Sequence, residues 1–233
     1  MEDKLTYYDV VAHVVPGTIV LGLLTLMPRV FGFAVPWPRS GLVVVAAGIP
    51  LAYAVGQVVQ ALSSIVQPVY YRLWGGMPSA VIMEGRNAQL SGPRLGRIIG
   101  ALSAYFDAPA DTPQERGALF ADAMALCNAG ALGRVDSFNA SYAFHRALLT
   151  TAWASSVALL LALALSAAGV GSSVHTFRPA LAYLLVLAVL FTAIEFVRGR
   201  QRGEYFSIEV LNTAYLQTID SELPRAAMPP GKG

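Results

Sequence analysis

Tyr53, Gln57, Gln60, Ser64, Gln67 and Tyr71 recur at steps of four and three, the spacing that lays side chains along one face of an α-helix. A row of amides and hydroxyls on an apolar helix has two uses. It lines a watery path, or it hydrogen-bonds to neighbouring helices and fixes their register; unpaired amides facing acyl chains are excluded by cost. Ionisable groups are fewer. Asp9 and His13 stand four residues apart on one face, either as a proton-sensitive pair or as an acid that orients a histidine. Glu195 closes an apolar run with Arg198 three residues on; intramembrane acids are functional candidates, but a local ion pair or snorkelling also accounts for it. Asp136, Asn139 and Arg146 gather where another apolar run begins. They can meet a ligand or a partner, or pair with one another or with Glu204.

Signals for catalysis are poor. His13, His145 and His175 lack metal-ligand spacing and are expected at different membrane levels, so no metal site is expected. No P-loop, dinucleotide-binding glycine motif or nucleophile elbow occurs, and His145 lacks the upstream arginine of an RxxxxH ribonuclease motif. The expectation is a protein without enzymatic activity or cofactor. The single cysteine, Cys127, excludes an internal disulfide. Basic residues of the central region are interspersed with Glu84, Asp107, Asp111, Glu115, Asp122 and Asp136, so direct nucleic-acid binding is not expected.

Four apolar stretches must position these groups: 10–33, 41–67, 147–169 and 178–197. The chain of 233 residues is 55% hydrophobic and 13% charged, against about 25% charge in soluble domains. Mean hydropathy is +0.55. A bilayer core asks for about 20 apolar residues per helix. The second, third and fourth stretches meet this, and the first is interrupted by Pro16-Gly17 and Pro28-Arg29. Ser155, Ala158, Ala162 and Ser166 form a small-residue face on the third span, suited to close helix packing. Placing both termini in the cytoplasm leaves only Arg29, Arg39 and Arg178 of the sixteen Lys and Arg outside, as the positive-inside rule requires. The start lacks the basic region and cleavage site of a signal peptide.

Between the hairpins, Leu95, Ile98, Ile99, Leu102, Tyr105 and Phe106 mark an amphipathic helix. Thr112-Pro-Gln-Glu115 predicts a capped helix start, with the helix running to about 128–130. Another begins near Val135 and continues into the third span. Thr6-Tyr-Tyr-Asp9 predicts a capping box at the first helix. Past the fourth span, Ile208, Leu211, Tyr215 and Ile219 form an apolar stripe, and the end from Leu223 reads as disordered. The expected fold is an all-α integral membrane protein with four transmembrane helices and a small cytoplasmic helical insert. Its parts are an N-terminal transmembrane hairpin (1–71), the insert (72–142), a C-terminal transmembrane hairpin (143–199), and an amphipathic helix with a disordered tail (200–233).

Tyr8-Asp9, Pro16-Gly17, Tyr53 with Gly56-Gln57, and Asp136-Ser-Phe-Asn139 with Arg146 carry a resemblance. Together with the layout they resemble bacterial four-span membrane proteins of anti-phage defence loci, similar in plan to the membrane subunits of Kiwa-type systems. The resemblance implies a multi-pass inner-membrane homo-oligomer in contact with lipid. It implies a sensor or a membrane-perturbing effector, working with a soluble cytoplasmic protein partner. The other functions open to the sequence are a scaffold subunit without channel activity and a small transporter. The latter lacks paired broken helices and a charged mid-membrane site.

Overall fold

Proline or glycine opens most of the helices, at Gly41, Pro78, Pro93, Pro113 and Gly133, while Pro16, Pro28, Pro50 and Pro68 lie inside helices. The structure, a computed structural model, describes residues 7–33, 40–90, 92–129, 133–170 and 174–226. Within these residues the regular structure is helical throughout: α1 (Tyr7–Val30), α2 (Gly41–Trp74), α3 (Pro78–Met83), α4 (Pro93–Phe106), α5 (Pro113–Ala129), α6 (Gly133–Ala167) and α7 (Val174–Ala226). Four stretches are long and apolar enough to cross a membrane: Val10–Val30, Val44–Met83, Arg134–Ala167 and Thr176–Asp220. The protein is thus an all-α fold with four candidate spans and additional shorter helices. Leu42, Val45, Ile49, Val58, Leu62 and Ile65 on α2, and Val186, Val189, Leu190 and Ile194 on α7, are exposed. In water such faces would be a liability; against acyl chains they are what a span requires.

The chain divides into two compact units, Met1–Pro68 with Ala140–Gly199, and Val69–Asn139 with Arg200–Gly233. Helices α2, α6 and α7 supply residues to both.

In the first unit, two glycines set the packing of α1 on α2. A Cβ on Gly17 would collide with the Ala52 backbone, and one on Gly56 with the His13 backbone. Only hydrogen fits where these helices touch. Farther along, Val30, Leu159, Ala162 and Leu181 are buried together, with Leu23, Leu26 and Leu185 around them. Arg178 of α7 bonds Ser166 near the end of α6, Nε to Oγ at 2.6 Å. On α6, Ser155, Ala162 and Ser166 are buried and Ala158 half-buried. A groove of about 360 Å³ lined by Ile19, Leu23, Leu159, Leu187 and Phe191 among others holds no charged side chain.

The second unit has its own core. Ile82, Met83, Leu90, Leu95, Ile98, Leu102, Leu119, Phe120, Cys127, Val210 and Leu211 cluster, drawn from α3, the α3–α4 loop, α4, α5 and the distal part of α7. The turn after α2 uses Gly75 and Gly76 at φ 82° and 137°, values that suit glycine alone. There the Gly76 N–H caps the Tyr71 carbonyl at 2.8 Å. Helix α5 opens as a capping box: the Thr112 and Asp111 N–H groups donate to Glu115 Oε2 at 2.8 and 2.9 Å, and Glu115 N–H donates to Thr112 Oγ1 at 3.2 Å. These bonds, first of all that from Thr112, hold the Glu115 carboxyl below its ordinary value of 4.5. Burial pushes the Cys127 thiol above 9.0, and its Sγ faces the Val210 carbonyl at 3.5 Å. Arg116 ties the end of α3 and the α4–α5 loop to α5, donating to the Ala110 and Met83 carbonyls at 2.9 and 3.0 Å. Helix α7 runs on through Leu223 and Pro224 to Ala226, where the sequence suggested disorder. The box expected at Thr6–Asp9 and the extreme C-terminus lie outside the described residues or side chains.

Candidate functional site: a polar layer at one end of the bundle

A proline explains the first polar contact. Pro16 sits inside α1 and has no N–H, so the Ala12 carbonyl loses the donor that an unbroken helix would give it. In a membrane such a carbonyl must find another partner. Gln60 supplies it: its Nε2 lies 3.4 Å from Ala12 O and 3.3 Å from Ala143 O, bridging α1, α2 and α6. The same bridge brings residues 12 and 143 to one level. His13 and His145 stand close in sequence to these two residues and so lie near one another's level, while the His175 side chain lies outside those described. His13 packs on the Tyr53 ring, centroids 5.2 Å apart.

Arg146 is the centre of the layer. Its Nη1 donates to Gln67 Oε1 at 2.8 Å, Nε to Ser63 Oγ at 3.2 Å and Nη2 to Ser64 Oγ at 3.3 Å. The guanidinium carbon stands 5.7 Å from the Tyr142 ring centroid, and Gln67 Nε2 lies 3.3 Å from the Tyr142 hydroxyl. A half-buried cation is thus held by neutral oxygens and an aromatic face. Its neighbour His145 turns to the other side of α6: Nδ1 lies 2.7 Å from Glu195 Oε2, with side-chain exposures of 17% and 7%. Successive residues on α6 therefore key it to α2 and to α7. Ser156 Oγ and Thr192 Oγ1, 3.3 Å apart, add a second α6–α7 contact.

The row on α2 divides between environments. At 3.6 residues per turn, Gln57 and Ser64 lie roughly 20–40° to one side of Tyr53, and Gln60 and Gln67 roughly 20–40° to the other. The buried face, with Ala52, Gly56, Val59 and Ser63, lies beyond Gln60 and Gln67. Those two make interhelical bonds. Ser64 is exposed but still meets Arg146. Gln57 is exposed and has no hydrogen-bond partner among the described residues. Asp136 and Asn139 are exposed and belong to the second unit, while Arg146 belongs to the first. The Asp9 side chain lies outside those described.

His145 as the partner of Glu195, Ser63 and Tyr142 were not singled out from sequence. His145 and Glu195 are fifty positions apart, so no local spacing signals them. Ser63 had a signal, the step of seven from Gly56 and of four from Val59. The layer can bind, orient and couple helices. Among the described residues no group of three or more His, Cys, Asp or Glu is placed to hold a metal. No protein-family model, curated protein or solved structure matches the chain.

Proposed function

We propose that this chain is an oligomeric bacterial inner-membrane protein of anti-phage defence, sensing or perturbing the membrane together with a soluble cytoplasmic partner. Both termini and the 69–139 region lie in the cytoplasm in this reading, on the strength of the Lys and Arg distribution. The observation that carries the sensing role is the pair His145–Arg146. Adjacent residues lock α6 to α7 through Glu195 and to α2 through Ser63 and Gln67. These are the helices that continue past the unit boundary, to Trp74, back to Gly133 and on to Ala226. A change in lipid packing or protomer contacts that breaks one lock thereby has a mechanical route along continuous helices. The defence setting rests on the sequence resemblance.

A scaffold without channel activity is the second reading. It is favoured by the internal bonding of Gln60, Gln67 and Arg146, which is how helix-packing contacts behave. Phage challenge of a host carrying the gene with its native neighbours separates the two. Plating should rise at least about tenfold when Arg146→Gln or Glu195→Gln replaces the natural residue while the protein remains in the membrane. Unchanged plating, even on deletion of the gene, removes the defence reading. A monomer at all concentrations in nanodiscs removes the oligomer.

A further inference from the structure

The second unit contains a cavity of about 370 Å³ between α4, the start of α6 and α7. Three arginines, Arg94, Arg97 and Arg134, line it together with a single carboxylate, Glu209. The formal balance of these four groups is two positive charges, three minus one. Their commitments differ. Arg134 Nε pairs with Glu209 Oε1 at 2.7 Å, so one positive charge is spent inside the protein. Arg94 Nη2 donates to the neutral Asn212 Oδ1 at 3.1 Å and keeps its charge. Arg97 is exposed and has no hydrogen bond or ion pair among the described residues.

Arg94 and Arg97 stand three apart on α4 and so project from one side of it. They occupy the first turns of a helix whose N-cap, Gly92, provides no side-chain cap; the positive end of the helix dipole adds to their field. The remaining wall is mixed. Ile98 and Leu216 are apolar, and Tyr215 contributes an aromatic residue to the lining. Guanidinium forks match phosphate oxygens in geometry as well as charge, and an aromatic ring beside them accepts a flat or aliphatic moiety.

We infer that this cavity binds a phosphate-bearing ligand, with Arg94 and Arg97 on the phosphate and Tyr215 against the group attached to it. The shared chemistry, a phosphate on a small organic group, occurs in soluble nucleotides and in anionic lipid headgroups. The site goes beyond the defence reading and stands or falls apart from it.

The test uses the full chain in phosphatidylcholine nanodiscs, with ADP titrated calorimetrically, and in parallel the retention of phosphatidic acid through detergent washing. Wild type should bind ADP, retain phosphatidic acid, or do both; ADP alone identifies a soluble ligand and phosphatidic acid alone a headgroup. Arg97→Gln and Arg94→Gln should each weaken the positive arm about tenfold or more, the loss of a charge-assisted bond. Arg72→Gln, an exposed arginine outside the cavity, should leave it unchanged. Because Arg97 is exposed and makes no hydrogen bond or ion pair among the described residues, Arg97→Gln should melt like wild type. Silence in both arms overturns the inference. So does an equal loss from Arg72→Gln, which would mean diffuse attraction to positive charge.

Discussion

Replacing Gln60 by leucine should destabilise the bundle by an amount that depends on residue 16. The amide serves two carbonyls, at 3.4 Å (Ala12) and 3.3 Å (Ala143). Both bonds are long, and interhelical hydrogen bonds in membranes average about 0.6 kcal/mol, so together they contribute roughly 1.2 kcal/mol. Ala143 lies inside α6 and keeps its helical donor. Ala12 does not, because Pro16 has no N–H. Leaving that carbonyl buried and unpaired adds about 1 kcal/mol or more. Gln60→Leu should therefore cost about 2 kcal/mol in the natural background. Pro16→Ala returns an N–H to the Ala12 carbonyl, and in that background the cost should drop by about 1 kcal/mol. Four proteins, unfolded reversibly by denaturing detergent in mixed micelles, give the coupling. If Gln60→Leu costs the same in both backgrounds to within about 0.3 kcal/mol, Gln60 is not replacing the proline's missing donor.

Gly56→Leu should destabilise the first unit by about 2–3 kcal/mol or more, because its side chain meets the His13 backbone, which cannot rotate away as a side chain can. Gly48→Leu, in open space, is the control, and equal losses in micelle unfolding would contradict the close crossing. Arg146→Leu and Gln67→Leu should be strongly non-additive, since each leaves the other's bond unmade. Gln57→Leu should change protomer stability by less than about 0.5 kcal/mol, and a large loss would place Gln57 in a packed contact. At the amino end of α5, the depressed Glu115 carboxyl contributes stability that is full above its ordinary value of 4.5 and lost as pH falls through its lower folded value. The raised Cys127 thiol has the opposite sense: its contribution is full below 9.0 and lost as pH rises above that value. Hydrogen exchange in α5 should thus lose its acid dependence in Glu115→Gln and its alkaline dependence in Cys127→Ala. Persistence of either would assign it to another group.

What could be read in the chain was whatever depends on local spacing. Runs of apolar residues gave the four long helices, and Thr112-Pro-x-Glu115 gave the start of α5, because a cap is made within four residues. The continuation of α6 from Gly133 through Arg146 into its apolar part followed from the lack of any breaker there. The layer was only half legible. The row on α2 showed that hydrogen bonds must be made, but its slow rotation around the helix leaves Gln57 and Gln67 on different flanks, and periodicity cannot say which flank is buried. The Gln60–Ala12 bond needs the knowledge that Gly17 and Gly56 bring α1 against α2. His145–Glu195 depends on how α6 and α7 pair, and Glu195 had a nearer sequence neighbour in Arg198. The arginine cavity joins residues from 94 to 216 and leaves no linear motif.

Membrane topology bears most directly on the central claim, a four-span bundle with the 69–139 region and the C-terminus on the cytoplasmic side. Reporter fusions at Gly92, at Gly171 and after Gly233 report it. The expected result is cytoplasmic activity at Gly92 and at the C-terminus, with periplasmic activity at Gly171. A periplasmic signal at Gly92 would contradict the layout and with it the placing of every site described above.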